Sequence, residues 1–242
     1  MSGETILAER PVSPPFPGPP PFPVQAPAIS VVIPHLNQPE FLARCLASLA
    51  RGLRRPDEIF VVDNGSAVLP EAICAAHAMV RLLHEPVPGP GPARNRGVAA
   101  ASGDILAFID ADCLADPVWL AEAEAALADP DAMILGGDVR IACADPGRLT
   151  MLEAYESIYA YRMDRYIARE GFTGTGNLVV RRAVLAAVGP FAGLAVAEDR
   201  DWGQRATRAG YPDPLCGRDE GLSPGAETVF RHGGEMGPPD RA

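Results

Sequence analysis

The chain has 242 residues, with 21 basic residues against 31 acidic ones and a formal net charge of −10. All the basic residues counted are arginine, and the lack of lysine excludes Schiff-base enzymes, Walker-type phosphate loops and protein kinases, which each need a lysine amine. The negative charge argues against broad electrostatic binding to nucleic acid or to an anionic membrane surface. With 48% hydrophobic and 21% charged residues, the composition predicts a globular body.

The first 27 residues hold nine of the 26 prolines and predict an extended, disordered arm, with a docking ligand for a partner as the alternative. The globular domain is expected over residues 28–242. In chain order, the pattern predicts strand 29–33 ending at Pro34, helix 39–51, strand 58–62, helix 69–78, strand 80–83, helix 93–101, strand 104–109, a helix from Pro117 to about residue 127, strand 133–141 and one long helix over 147–169. A flexible loop follows at 171–176, then strand and helix over 177–210 and a loose tail over 211–242.

Nearly continuous apolar strands that alternate with helices indicate an α/β fold, with a mostly parallel, Rossmann-like sheet covered by helices on both faces. Ligands bind at the carboxyl ends of the strands in such sheets. The long helix carries a broad apolar face, which we expect to pack in the core; contact with an acceptor or a membrane is the alternative. The residues of this face are Leu149, Leu152, Tyr155, Ile158, Tyr159 and Met163.

The five cysteines are odd in number and widely spaced, and no CxxC pair occurs. This spacing favours free or buried thiols in a reducing cytosol over a structural zinc site. We find neither a signal-peptide pattern nor an apolar run of about 18 residues, so we expect a cytoplasmic protein. Three histidines, His35, His77 and His84, are expected at surface or loop positions.

Acidic residues stand at the ends of three predicted elements. Asp63 opens Asp63-Asn64-Gly65-Ser66, which suits either a ligand contact or an Asx turn. Asp110-Ala111-Asp112 follows a buried strand, where two carboxylates could share a divalent cation and a diphosphate. Glu198 and Asp199 begin a helix, where acidic residues either complement the helix dipole or supply a general base.

Several motifs agree in order and spacing, and together they resemble the family 2 glycosyltransferases of the GT-A fold over roughly residues 28–210. The motifs are Val31 to Asn37, Val61 to Ser66, Gly91 to Gly97, Ala101 to Asp104, Phe108 to Asp112, Gly174 to Arg182, Val188 to Phe191 and Glu198 to Trp202. The resemblance implies a nucleotide-binding half at 28–115 and an acceptor-side half at 116–210. It also implies a single-domain enzyme that moves a sugar from a nucleotide-diphosphate sugar, with UDP as the usual nucleotide.

The resemblance assigns the nucleotide to residues near the first three strands. Pro34 and Asn37 would lie in a loop beside it, Asp63 would bind the base, and Arg94 and Asn95 would shape the neighbouring wall.

The remaining roles concern the metal, the sugar and the chemistry. In Asp110-Ala111-Asp112, the first Asp would face the ribose and Asp112 would bind Mg²⁺ or Mn²⁺, with His232 as a further metal ligand. Gly176, Asn177 and Trp202 would lie beside the sugar and acceptor. Asp199, paired with Glu198, would be the catalytic base of an inverting reaction, with a structural cap as the alternative role.

The resemblance leaves the acceptor open among glycans, lipid-linked molecules and small molecules, and it admits peripheral association with the inner face of a membrane. A nucleotide-sugar-binding accessory protein without transfer activity is the main alternative. A sugar nucleotidyltransferase would need a glycine-rich loop after the first strand and key lysines. A dinucleotide-dependent dehydrogenase would need GxGxxG at that position, where Pro34-His35-Leu36-Asn37 stands instead.

Overall fold

The computed structural model describes residues 26–141, 148–159, 162–211 and 227–230. The proline-rich arm falls almost entirely outside these residues, and so do Cys143, Cys216 and His232. The other three cysteines, Cys45, Cys74 and Cys113, are free and buried, as the sequence predicts.

Six strands form the main sheet in the order β3-β2-β1-β4-β8-β6. These strands are β1 (Ile29–His35), β2 (Glu58–Asp63), β3 (Val80–His84), β4 (Ile105–Phe108), β6 (Ile134–Gly136) and β8 (Leu178–Arg181). The first four pair in parallel, and β8 is antiparallel to both β4 and β6. The predicted mostly parallel α/β sheet is thereby confirmed.

Apolar side chains on both faces of the strands bury the sheet. Along β1, Val31 and Ile33 face one core and Val32 faces the other, because successive side chains of a strand point to opposite faces. This arrangement explains why the strands are apolar throughout instead of alternating with polar residues.

Helices cover each face of the sheet. Residues of α1 (Pro39–Ala50), α2 (Glu71–Ala75) and α4 (Trp119–Ala126) belong to the first core. Residues of α3 (Pro90–Ala100), α7 (Arg182–Val188) and α8 (Glu198–Arg208) belong to the second.

The prediction that Pro34 ends the first strand is wrong, because β1 continues to His35. The His35 carbonyl accepts a hydrogen bond from Asn64 on the β2 side, whereas the Val32 carbonyl faces β4 and accepts from Ile109. Backbone groups alternate in direction, so the missing N–H of Pro34 would point toward β4, whose pairing with β1 ends at Val32. The ladder therefore loses no hydrogen bond at this proline.

A second sheet joins β5 (Cys113–Ala115), β9 (Glu227–Phe230) and β7 (Asp138–Ile141), with β9 in the middle. The predicted single strand over 133–141 is therefore wrong: β6 and β7 belong to different sheets, separated by Gly137. The predicted loose tail is also incorrect over 227–230, where β9 pairs with both neighbours.

The predicted helix over 147–169 forms separate pieces. These are α5 (Met151–Tyr159) and α6 (Met163–Arg165), which continues as a π-helical turn over Tyr166–Glu170. The expected core packing of its apolar face holds for Met163, which is buried, but not for α5, where Leu152, Tyr155 and Ile158 are exposed. Within the described ranges, no helix is both long and apolar enough to cross a membrane.

The segment Gly171 to Gly176 is well packed, although the sequence predicts a flexible loop. Gly171 adopts a left-handed backbone conformation with φ 68°, which suits a residue without a Cβ. Phe172, Thr173 and Thr175 are buried, and a 3-10 turn follows at Thr175–Asn177. This segment leads directly into β8.

Candidate active site

A cleft of about 890 Å³ opens at the carboxyl ends of β1, β2 and β4. Residues 34–36 lie at the end of β1 and directly after it, Asn64 follows β2, and Asp110 to Asp112 come after β4. Because β8 runs antiparallel, the segment that precedes it reaches the same edge and contributes Gly174 to Gly176. The predicted site residues that line this cleft are Pro34, Arg94, Asp110, Ala111, Asp112, Gly176, Glu198 and Asp199.

Arg94 connects two acidic groups of the cleft. Its Nη2 donates to Asp110 Oδ1 and its Nη1 donates to Glu198 Oε1, both at 2.6 Å. The Arg94 side chain is buried, and its Nε has no hydrogen-bond partner in the described structure. Two carboxylates thus hold a buried guanidinium, which compensates the cost of removing its charge from water.

Asp110 and Asp112 offer oxygen ligands of the type that Mg²⁺ and Mn²⁺ prefer. Burial raises the pKa of Asp112, and the nearby Asp110 carboxylate raises it further. A divalent cation would relieve this repulsion, so the donor chemistry fits the predicted metal. The described residues contain no group of three or more His, Cys, Asp or Glu side chains that could enclose such an ion.

Asp199 lies on the cleft wall in the first turn of α8. Burial raises the pKa of its carboxyl group, and the neighbouring Glu198 raises it further, although Arg94 and the Arg200 backbone N–H act in the opposite direction. The Arg200 N–H donates to Asp199 Oδ1 at 2.7 Å. A carboxylate held near other charges, with an elevated pKa, is suited to accept a proton.

Asp63 lies behind the cleft wall with no exposed surface. Burial alone raises its pKa, but hydrogen bonds from Ser66, His35 and Gly65 outweigh that effect and lower it. His35 Nδ1 lies 3.0 Å from Asp63 Oδ1, and His35 Nε2 lies 3.2 Å from the Gln38 nitrogen. The prediction of a surface or loop position for His35 is thus incorrect, because this ring is buried between two partners.

Asn37 and Asn95 hold backbone segments near the cleft but do not line it. The Asn37 N–H donates to Ser66 Oγ, and its side-chain oxygen accepts from the Ala67 N–H, which ties the loop after β1 to the loop after β2. The Asn95 side chain both donates to and accepts from the Phe191 backbone, which ties α3 to the segment before α8.

Asn177 and Trp202 are buried. The Asn177 side chain accepts from Trp119 Nε1 at 2.8 Å and donates to the Asp138 carbonyl at 2.9 Å, which joins α4, β7 and the start of β8. Trp202 packs in the second core and donates to the Gly189 carbonyl. His232 lies outside the described residues.

An apolar and aromatic wall completes the cleft and was missed in the sequence analysis. Tyr166 and Phe172 stack with ring centroids 5.2 Å apart, beside Met163 and Val139, and Leu194 also lines the cleft. The sequence contains one weak indication of this wall: two aromatic residues, Tyr166 and Phe172, shortly precede Gly174. Only the fold shows that they share a wall.

The family model for glycosyl transferase family 2 matches residues 30–189. Glycosyltransferase AglE of Haloferax volcanii is 33% identical over 193 residues, which cover 76% of this chain and 63% of that protein. The pre-mycofactocin glycosyltransferase of Mycobacterium tuberculosis is 40% identical over 105 residues, which cover 42% of this chain and 21% of that protein. The chain thus spans less than two thirds of the length of these relatives.

Solved structures share the fold. The mannosyltransferase PcManGT of Pyrobaculum calidifontis, in complex with GDP-Man and Mn²⁺, has a TM-score of 0.62 and 20% identity, over 85% of this chain and 57% of that one. S. aureus TarS 1-349 in complex with UDP-GlcNAc has a TM-score of 0.59 and 20% identity, over 85% of this chain and 59% of that one. These neighbours support the GT-A fold, and the match to the family model shows that the chain belongs to glycosyl transferase family 2.

Proposed function

We propose that this chain moves a sugar from a nucleotide-diphosphate sugar, with UDP as the nucleotide, to an acceptor hydroxyl, using Mg²⁺ or Mn²⁺ and inverting the anomeric centre. One observation carries the proposal: a single cleft at the carboxyl edge of the sheet brings the Asp110–Asp112 pair together with Asp199. One part of the cleft offers metal ligands for a diphosphate, and another offers a base for an acceptor.

The nucleotide would occupy the side of the cleft formed by the ends of β1 and β2. Pro34, Leu36 and Asn64 line this side, and Pro88 to Pro90 close it. Asp63 supports it from behind through His35 and the backbone of Gly65 and Ser66. Asp112, with Asp110, would hold the divalent cation. When bound, the cation would stabilise negative charge on the departing diphosphate.

Asp199 would perform the proton transfer of the reaction. Its carboxylate would remove the proton of an acceptor hydroxyl while that oxygen forms a bond to the anomeric carbon. The bond from that carbon to the diphosphate oxygen would break on the opposite face, and its electron pair would leave with the nucleoside diphosphate. One displacement of this kind inverts the configuration of the sugar.

A screen of nucleotide sugars tests the proposal. We expect a UDP-sugar to raise the melting temperature in the presence of Mn²⁺, because a ligand that binds only the folded state stabilises it. GDP-mannose, which carries guanine in place of uracil, is tested in parallel as a donor with a different base. A shift accompanied by release of nucleoside diphosphate on adding acceptor supports transfer, whereas a shift without turnover for any acceptor supports the accessory binding protein. No shift with any nucleotide sugar contradicts both.

The raised pKa of Asp199 predicts how the rate depends on pH. A base must be deprotonated to act, so kcat should fall as the pH falls through the pKa of Asp199 in the complex. Because burial raises this pKa, the acidic limb of the profile should lie above the usual aspartate pKa of 3.8. The measurement is kcat against pH at saturating donor and cation. An acidic limb at or below the usual value would contradict Asp199 as the base.

A further inference from the structure

Both terminal nitrogens of Arg94 donate to carboxylates, although the resemblance to family 2 glycosyltransferases places this residue near the nucleotide. Asp110 holds one nitrogen and Glu198 the other, and these two carboxylates are separated by 88 residues in the chain. The Arg94 side chain is 3% exposed. The Arg94 Nε has no hydrogen-bond partner in the described structure, but the burial of the side chain leaves an incoming phosphate little access to it.

Arg94 projects from a helix that is closely fitted to its surroundings. A Cβ at Gly97 would overlap the Val32 side chain of β1, and a Cβ at Gly91 would overlap the Ala192 carbonyl. One of these glycines lies on each side of Arg94 in α3. The helix is therefore held against both the sheet and the segment before α8, which makes it a firm base for the side chain.

The start of α8 has few other attachments on the side of the cleft. Ala197 precedes the helix without a side-chain capping bond, and Leu194 and Val196 before it are exposed. Arg200 pairs with Glu170 at 3.1 Å, but both side chains are more than a third exposed, so this pair contributes little. In the Arg94–Glu198 pair, Arg94 is 3% exposed and Glu198 is 18% exposed, so this better-shielded pair is the stronger link between the first turn of α8 and α3.

We propose that Arg94 is a positioning residue, which fixes the turn that carries Asp199 relative to Asp110, and that it does not bind the diphosphate itself. This inference rests on the proposed function for the identity of the two groups that it aligns. Small displacements of a catalytic group are costly, because about 1 Å of misplacement can reduce the rate about 100-fold. Loss of Arg94 should therefore lower the rate of transfer far more than the affinity for the donor.

Arg94→Gln tests this directly, with Arg96→Gln as the matched control, since Arg96 is an exposed arginine of the same helix. We expect kcat to fall about 100-fold in Arg94→Gln, with the donor Kd changed less than about threefold. Arg94→Lys, which restores a positive charge, should recover part of the rate. Arg96→Gln should match the unaltered protein. A donor Kd that rises as much as kcat falls would show direct phosphate binding and overturn the proposal.

Hydrogen–deuterium exchange gives a readout that needs neither donor nor turnover. Amides 198–203 should exchange faster in Arg94→Gln than in Arg96→Gln, with an intermediate rate in Arg94→Lys, which also serves if the glutamine variant does not fold. Unchanged exchange at these amides in both Arg94 variants would overturn the inference. If the unaltered protein neither binds nucleotide sugars nor transfers sugar, the proposed function fails, while the exchange experiment still decides whether Arg94 positions α8.

Discussion

Replacing Asp199 with Asn should lower kcat by about 10²- to 10⁴-fold, the usual contribution of a general base, and leave nucleotide affinity within about twofold. The amide has nearly the shape of the carboxylate, but it cannot accept the proton of an acceptor hydroxyl at neutral pH. It retains a side-chain oxygen that can accept the Arg200 N–H, so the first turn of α8 should persist. The measurements are initial rates of nucleoside diphosphate release and nucleotide binding by calorimetry.

Asp201→Asn is the matched control for this substitution. Asp201 lies two residues further along α8 and pairs with Arg205 at 2.9 Å, outside the residues that line the cleft. Both side chains of that pair are partly exposed, so its loss should cost little stability. We expect near-normal transfer in Asp201→Asn. If instead Asp199→Asn lost nucleotide binding while transfer persisted at saturating donor, Asp199 would belong to the donor site and the base would lie elsewhere.

The sequence predicts the central sheet well because buried parallel strands leave a strong local signal. Strands such as Val31 to Ile33 are apolar on both faces, and each ends in polar residues that the topology collects at one edge. The sequence could therefore place Asp63 and Asp112 at one edge of the sheet, whereas Asp199, at the start of a helix, was assigned to the same site through the resemblance to family 2 glycosyltransferases. The roles of these residues stay predictions until the substitutions are made.

Pairings between distant segments leave no comparable signal. The ion pair from Arg94 to Glu198 spans 104 positions, and the pair from His35 to Asp63 spans 28. Each depends on which elements the fold brings together, and a histidine that follows a strand looks the same in sequence whether it is solvated or buried against a carboxylate. For the same reason, the stacked pair of Tyr166 and Phe172 was missed.

The exposed face of α5 shows a different limit of the sequence. Residues such as Leu152 and Tyr155 recur at helical spacing, which indicates an amphipathic helix but does not identify what it packs against. The predicted helix was also too long. A regular spacing of apolar residues does not show where one helix ends and the next begins, as α5 and α6 do here. Met163, one member of the predicted apolar face, reaches the core, whereas Leu152, another member, is 59% exposed.

Replacing Asp112 with Ala should abolish the part of nucleotide binding that depends on a divalent cation. Among the residues that the structure describes, the charged side chains that line the cleft are two arginines and four carboxylates, and Arg94 already pairs with two of these carboxylates. A diphosphate therefore enters a region that repels it unless a cation is present. The described residues offer few metal ligands, so we expect the cation and the diphosphate to bind cooperatively, each weakly without the other.

Thermal shift tests this cooperativity by adding Mn²⁺ alone, the nucleotide alone, and both together. At a ligand concentration about 100 times Kd, the stabilisation of the unaltered protein should be about 2.7 kcal/mol with both present. In Asp112→Ala the combined shift should shrink to the sum of the two separate shifts. The shift that the nucleotide causes without Mn²⁺ should persist in Asp112→Ala, because this variant lacks one of the carboxylates that repel the diphosphate. Asp131→Ala, an exposed aspartate outside the cleft, should retain the full combined shift. A combined shift in Asp112→Ala as large as that of Asp131→Ala would contradict the assignment of Asp112 to the metal.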